Sequence, residues 1–192
     1  MESRNEHGAA DAGSLTDVWL VNGIPGAGKS TIARALAQRF SRGVHLEGDA
    51  LQALIVAGAV GPGEQPADEE ARQIHLNVRN QCLLARSFAE AGFVPVLDYV
   101  VVNRARLQEY RTHLNGLQLR FVTLAPGVAT ALARDQARPE KTVAHLWAHL
   151  DEQMRTELGG VGLWIDNAPL TVDETVHQIL QNKEASKIAA DW

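Results

Sequence analysis

The chain has 192 residues, of which 45% are hydrophobic and 21% charged, and its formal net charge at pH 7 is −5. This length and composition are typical of one globular domain and exclude a collagen-like or wholly disordered polymer. The acidic balance, with basic residues spread along the sequence, argues against nucleic acid as a partner because phosphate backbones are bound by clustered Lys and Arg.

Residues 1–15 are predicted to be a flexible polar leader, which lacks the apolar stretch of a signal peptide. No apolar run approaches the length that spans a membrane. The single cysteine, Cys82, has no partner for an intramolecular disulfide, which fits a reducing compartment. We therefore expect a cytoplasmic protein without a membrane partner, in which Cys82 is a buried structural thiol.

Short apolar runs alternate with helical patterns from residue 16 onward. Strands are predicted at residues 18–21, 44–47, 93–102, 117–124 and 162–166. Helices are predicted at residues 29–40, from Asp49 towards residue 58, and at 68–91, 104–114, 128–137, 142–158 and 171–181. Apolar strands that alternate with helices indicate an α/β fold, with a five-stranded parallel sheet covered on both faces. We expect one domain over residues 16–182, followed by a tail at 183–192 without an obvious partner.

A phosphate-binding motif follows the first predicted strand. Residues 23–30, GIPGAGKS, match the pattern G-x-x-x-x-G-K-[ST] at every position. Glycines let backbone N–H groups approach phosphate oxygens closely, and the N-terminus of the next helix adds favourable partial charge. Lys29 is predicted to reach the β- and γ-phosphates, and the Ser30 hydroxyl to bind Mg²⁺. The predicted nucleotide-binding residues are Gly23, Ile24, Pro25, Gly26, Ala27, Gly28, Lys29, Ser30 and Thr31.

Two classes of P-loop protein do not fit the rest of the sequence. A GTPase carries an N-K-x-D motif that recognises guanine, and the only Asn-Lys pair here, Asn182-Lys183, is followed by Glu184-Ala185 near the end of the chain. A transporter-type ATPase requires a separate signature loop and a larger domain, and neither is evident. The small-kinase branch of P-loop proteins remains.

The chain resembles P-loop small-molecule kinases of the nucleoside-monophosphate-kinase-like group. It is most similar to chloramphenicol phosphotransferase, and more distantly to shikimate, gluconate and zeta-toxin kinases. Besides the P-loop, the resemblance rests on Gly48-Asp49 after the second strand, Val96-Leu97-Asp98 in the third, and the arginine-bearing residues 134–141. It implies a three-layer α/β/α P-loop NTPase fold with strand order 2-3-1-4-5, a small helical lid at about residues 134–145, and ATP with Mg²⁺ as cofactors.

The resemblance also implies roles for two acids at strand ends. Asp49 is the candidate base, placed to accept the proton of the acceptor hydroxyl or to orient that hydroxyl; as an alternative, it caps a helix N-terminus. Asp98 is predicted to hold a magnesium-bound water or to contact the substrate. Its alternative role is a structural acid paired with an arginine. Which of the two acids acts as the base stays open.

Arginines are the predicted charge-neutralising groups. Arg134 and Arg138 are four residues apart on a helix and hence on one face, where they would neutralise the γ-phosphoryl oxygens or stack on adenine. Lys141 is a third lid cation on the same reasoning. Arg72 and Arg79 would contact an anionic substrate, unless they only coat a solvated helix.

An apolar wall is predicted for the acceptor site, formed by Leu51, Leu54, Ile55 and Val56. The pair His145 and His149 has a spacing that can bind a metal, but no Glu follows His145, so we expect no zinc-protease site.

The predicted function is an ATP- and magnesium-dependent kinase that phosphorylates a hydroxyl of a small molecule, an antibiotic being one option. The predicted catalytic residues are Lys29, Asp49, Arg134 and Arg138. The residues predicted to bind the acceptor are Asp49, Arg72, Arg79 and Asp98. The residues predicted to bind the metal are Ser30 and Asp98. The alternative is a nucleotide-dependent protein that sequesters a ligand without phosphoryl transfer. We expect a monomer or homodimer whose partner is the small-molecule acceptor.

Overall fold

A computed structural model describes residues 16–137 and 147–188 of the chain. The strands are β1 (Asp17–Asn22), β2 (Gly43–Glu47), β3 (Val94–Asp98), β4 (Gln118–Leu124) and β5 (Leu163–Ile165). The helices within the described residues are α1 (Lys29–Ala37), α2 (Gly48–Gln52), α3 (Ala67–Glu90), α4 (Arg104–His113), α5 (Val128–Gln136), α6 (Leu150–Leu158) and α7 (Val172–Gln181). Of these helices, none is long and apolar enough to cross a lipid bilayer.

All neighbouring strands pair in parallel, in the order β2-β3-β1-β4-β5. Leu20 at the middle of β1 is in register with Leu97 of β3 and Phe121 of β4. Their side chains are fully buried, because helices cover both faces of a parallel sheet. The predicted α/β class, the parallel sheet and its strand order are confirmed.

Successive side chains of each strand point to opposite faces of the sheet, so the core consists of two layers. On one face Val18, Leu20, Leu97 and Phe121 join apolar residues of α3 and α4. On the other face the intervening strand residues pack against α1 and α7, which contribute Ile32, Ala33, Leu36, Val176 and Ile179. Cys82 of α3 belongs to the first layer, and burial raises the pKa of its thiol to about 12. The prediction of a buried structural thiol is confirmed.

The third strand is shorter than the predicted residues 93–102, and it ends at Asp98. Beyond this point the backbone N–H of Tyr99 still donates to the carbonyl of Val21, but the N–H of Val101 donates to the Asn22 side chain at 2.8 Å. The chain leaves the sheet here because β1 also ends, at Asn22. The run of apolar residues continues past the ladder, so apolarity alone overestimated the strand.

Helix α2 is also shorter than expected, ending at Gln52 instead of continuing towards residue 58. Its apolar continuation lies on the surface: the exposed fractions are 72% for Leu54 and 95% for Val56. Of the predicted apolar wall, only Leu51 and Ile55 are partly buried. The predicted helix at residues 142–158 is described only from residue 147 onward, where regular helix begins at Leu150.

The predicted tail has a partner as far as it is described. A 3₁₀ helix at Lys183–Ser186 packs beside β4, where the Arg120 guanidinium donates to the carbonyl of Lys183 at 2.5 Å. The Lys183 ammonium lies 2.7 Å from Asp17 of β1. The described residues 183–188 therefore lie against the sheet.

Candidate active site

The carboxyl ends of the parallel strands meet at one edge of the sheet, where ligands bind in folds of this kind. The P-loop, residues 23–30, leaves this edge from β1, and Asp49 follows β2. Asp98 is the last residue of β3, in register with Val21 at the end of β1. Asn167 follows β5. Topology thus brings together residues that are far apart in sequence.

The start of α1 is open to an anion. Gly28 is its N-cap, with a φ of 96°, no side chain caps the helix, and its first turn holds no acidic residue. The N-terminal N–H groups of a helix have no partner inside the helix, and its dipole favours negative charge there. Across the loop, the Lys29 ammonium donates to the carbonyl of Ile24 at 3.4 Å. This geometry fits the terminal phosphates of a nucleotide.

The P-loop also lies against helix α5. A Cβ atom placed on Gly26, where φ is 84°, would overlap the carbonyl oxygen of Ala131 in α5. Only glycine permits this approach, because any side chain would push α5 away from the loop. Gly26, which occupies a variable position of the motif, therefore allows α5 to pack closely against the loop.

A second contact joins the P-loop to the segment after β5. The buried Asn167 side chain donates to the carbonyl of Ala27 at 3.0 Å. The Arg134 guanidinium donates to the carbonyl of Asn167 at 2.8 Å and to those of Ala168 and Ala27 at 3.4 and 3.5 Å. Arg134 thus ties α5, the P-loop and the β5–α7 segment together. Its predicted action on the γ-phosphoryl group or on adenine stays a prediction.

We expect Arg134→Ala to weaken magnesium-dependent nucleotide binding about tenfold or more, because each hydrogen bond made by a charged group contributes about 1.5–3 kcal/mol. Titration with a fluorescent ATP analogue measures this loss. Arg155→Ala is the matched control, since Arg155 forms an i,i+4 ion pair with Asp151 on the surface of α6. Such pairs contribute little, and equal losses in the two variants would contradict the role given to Arg134.

Asp49 does not cap α2. The N-cap is Glu47, Asp49 lies in the first turn, and no side chain makes the capping hydrogen bond. The alternative role as an N-cap is therefore wrong. The Asp49 side chain is exposed at the carboxyl edge of the sheet, so its carboxylate can face an acceptor in the crevice.

Asp98 is 3% exposed, and its carboxylate lies 3.3 Å from Nε2 of His45 on the neighbouring strand β2. The partner of this buried acid is thus a histidine, and not the arginine considered in its alternative role. Its position beside the end of β1 suits contact with a magnesium-bound water. That role, and contact with the substrate, stay predictions.

The two predicted arginines of α3 point away from the core. Arg72 makes two hydrogen bonds with Glu69, at 2.7 and 2.8 Å, and its hydrogen bonds lower the pKa of that carboxyl to about 2. Arg79 is exposed on the same helix. An anionic acceptor would have to compete with Glu69 for Arg72. Arg138, Lys141 and His145 lie outside the described residues.

Polar residues that the sequence analysis missed hold this edge together. Asn22 donates to the Thr123 hydroxyl and accepts from the N–H of Val101, which directs the segment after β3. Asn167 donates to the carbonyl of Ala27 in the P-loop, and Asn77 on α3 donates to the carbonyl of Gly48 in α2. One signal was available for Asn22 and Asn167: each follows or ends an apolar strand, and so had to lie at the carboxyl edge.

Comparison with known proteins identifies the family of the chain. A family model described as an AAA domain, AAA_33, matches residues 18–157, which include the P-loop, Asp49, Asp98 and Arg134. The chain belongs to this family of P-loop kinases. No curated protein sequence matches the chain significantly. Membership of the nucleoside-monophosphate-kinase-like group is thereby confirmed.

Solved structures of kinases share the fold of this AAA_33 chain at low identity. A sugar kinase from Janibacter sp. HTCC2649 is 18% identical, with a TM-score of 0.66, over 89% of this chain and 96% of that one. A tunicamycin resistance protein of Deinococcus radiodurans is 22% identical, with a TM-score of 0.58, over 91% and 99%. The APS kinase CysC of Mycobacterium tuberculosis, solved with AMPPNP and APS, is 16% identical, with a TM-score of 0.64, over 89% and 99%.

Proposed function

We propose that this P-loop kinase is an ATP- and magnesium-dependent phosphotransferase that moves the γ-phosphoryl group onto a hydroxyl of a small molecule. One observation carries the proposal. At one edge of the sheet, β1 is followed by the P-loop and the uncapped start of α1, and β2 is followed by Asp49, whose exposed carboxylate does not cap a helix. Phosphoryl transfer needs these two groups, one for the phosphates and one for the acceptor.

Each step of the proposed reaction is assigned to particular residues of the chain. Backbone N–H groups of the P-loop and the Lys29 ammonium would hold the β- and γ-phosphates, and the Ser30 hydroxyl and Asp98 would hold Mg²⁺. When bound, Mg²⁺ neutralises charge on the phosphates. Asp49 orients the acceptor hydroxyl and takes its proton as a bond forms between the acceptor oxygen and Pγ. The bond from Pγ to the bridging oxygen breaks, and ADP leaves.

The acceptor class is inferred from the surroundings of Asp49. Leu54 and Val56, exposed close behind α2, offer apolar contact, and Arg72 is already occupied by Glu69. These features favour an acceptor that combines a hydroxyl with an apolar body over a strongly anionic one. Phenicols and nucleoside antibiotics have this chemistry, and the tunicamycin resistance protein among the structural neighbours adds a reason to test tunicamycin.

The test is transfer of ³²P from [γ-³²P]ATP in the presence of Mg²⁺ to a panel of phenicols, nucleoside antibiotics including tunicamycin, and sugars. We expect a labelled product from at least one acceptor, and none after Lys29→Ala or after chelation of Mg²⁺. Absence of transfer to every member of the panel would overturn the proposal. Tight binding of an acceptor that is recovered intact would instead support sequestration.

A further inference from the structure

A ladder of buried amides lies along the inner face of α3. Gln73, Asn77 and Gln81 are spaced four residues apart, and their exposed fractions are 4%, 3% and 0%. Buried amides are costly unless they are hydrogen bonded, and each of these three is. Gln73 accepts from the N–H of Val60 at 2.9 Å and donates to the carbonyl of Gly58 at 2.8 Å. It holds the loop after α2.

The other two amides form a chain of hydrogen bonds with one direction. The Tyr110 hydroxyl donates to Oε1 of Gln81 at 2.9 Å, and Nε2 of Gln81 donates to Oδ1 of Asn77 at 3.1 Å. Nδ2 of Asn77 then donates to the carbonyl of Gly48 at 3.0 Å and to Gln52 at 3.2 Å. Because the carbonyl of Gly48 can only accept, it requires Nδ2 of Asn77, and the remaining Oδ1 then requires Nε2 of Gln81, so the orientation of both amides is fixed from this end. The chain ends on the helical turn that carries Asp49.

Tyr99 supports the same turn from the other side. A Cβ atom on Gly48 would overlap the Tyr99 ring and would lie 2.8 Å from Nε2 of Gln81, so the ring and the ladder press against the backbone of α2. Tyr99 is 8% exposed. Asn77 and Tyr99 thus both contact Gly48, the residue that precedes Asp49.

We propose that Asn77 and Tyr99 are positioning residues for Asp49. Asn77 pins the first turn of α2 through the carbonyl of Gly48, the ring of Tyr99 buttresses that turn, and Gln81 with Tyr110 keeps the Asn77 amide turned to donate. This inference rests on the proposed function, in which Asp49 acts on the acceptor. It explains why α3 buries amides where apolar side chains would fill the same space, since a base displaced by about 1 Å loses about 100-fold in rate.

The kinetic test compares two variants in which a buried polar side chain is replaced by an apolar one of similar shape. Asn77→Leu removes the donor to Gly48; Thr175→Val, the control, removes a buried hydroxyl that donates to Thr171 on α7. With Asn77→Leu we expect turnover of [γ-³²P]ATP, with water and with any acceptor found in the panel, to fall about 10- to 100-fold. Affinity for a magnesium-bound ATP analogue should stay within about twofold of the wild-type value. Tyr110→Phe should cause a smaller fall of the same kind.

A second measurement does not depend on activity. The chain has two tyrosines, so ¹³Cζ-tyrosine labelling gives two resonances, which Tyr99→Phe and Tyr110→Phe assign. At a fixed neutral pH, Asn77→Leu should shift the Tyr99 resonance, because the turn against which the Tyr99 ring packs is no longer held through the carbonyl of Gly48. Thr175→Val, which changes a side chain on α7, should leave the Tyr99 resonance in place.

The outcomes separate this inference from the proposed function. If the wild-type protein transfers phosphate but Asn77→Leu turns over as fast as wild type, the ladder does not position Asp49 and this inference fails alone. If Asn77→Leu leaves the Tyr99 resonance unchanged, the ladder does not hold the turn that carries Asp49, and the inference fails as well. If the wild-type protein transfers no phosphate to water or to any acceptor, the proposed function fails, and the Tyr99 resonance still decides whether Asn77 holds this turn.

Discussion

Replacing Lys29 by Ala is expected to reduce phosphoryl transfer about 10²- to 10³-fold and to remove the magnesium-dependent part of nucleotide binding. The reason is electrostatic: the Lys29 ammonium stands at the N-terminus of α1, where the β- and γ-phosphates concentrate negative charge, and its contribution grows as that charge shifts during transfer. Titration of a fluorescent ATP analogue with and without Mg²⁺, combined with single-turnover kinetics, measures both losses.

Lys187→Ala is the control for the loss of a lysine. The Lys187 ammonium lies 2.6 Å from Glu184 at the surface, and exposed pairs of this kind contribute about 0–1 kcal/mol to stability. Both variants should keep the thermal unfolding temperature of the wild type within a few degrees. Unchanged nucleotide affinity in the Lys29 variant would remove the basis for treating residues 23–30 as a phosphate-binding loop.

The sequence predicted those features that local patterns determine. The P-loop is recognisable because its residue types and spacing are imposed by close contact of the backbone with phosphate, which few other structures require. The sheet was predictable because strands such as residues 18–21 are continuous apolar runs, as burial on both faces demands. The order of the strands is not a local property, and it came from the resemblance to a family.

Contacts across the fold were beyond local patterns. Asn167 holds the carbonyl of Ala27 over a separation of 140 residues, and nothing in the sequence near either residue marks the contact. The apolar run 93–102 overestimated β3 for a related reason, although the family resemblance placed the end of the strand at Asp98. Pairing stops there because β1 gives way to the P-loop, whereas the apolar run that suggested a longer strand continues to Val102.

The amphipathic pattern of α3 gives the wrong inner face for this helix, because several of its polar side chains are buried. Leu76 and Leu83 are 39% and 55% exposed, whereas Gln73, Asn77 and Gln81 face the core. Amphipathic patterning assumes that apolar side chains point inward, so it interprets these amides as a solvated surface. Polar residues on an inner face are retained where they are hydrogen bonded, and here they hold the loop and the turn around Asp49.

The last prediction concerns Asp49 itself. Asp49→Asn is expected to lower turnover about 10²- to 10⁴-fold, which is the usual contribution of a positioned general base, because the amide cannot take the proton of the acceptor hydroxyl. Nucleotide affinity should not change, since the phosphates are held by α1 and not by α2. Stability should change by less than about 1 kcal/mol, because the side chain is exposed, caps nothing and loses only its interaction with the dipole of a short helix.

The control is Asp68→Asn, which neutralises an exposed acid in the first turn of α3 without touching the carboxyl edge. Steady-state kinetics with the acceptor found in the panel, together with nucleotide titration and thermal unfolding, separates the three effects.

Asp98→Asn tests the other candidate base. It removes a buried charge beside His45, so it should lower both stability and magnesium-dependent affinity. A large loss of turnover in Asp98→Asn at saturating nucleotide and Mg²⁺, with none in Asp49→Asn, would transfer the role of base to Asp98, because the loss would then lie in the chemical step and not in nucleotide binding.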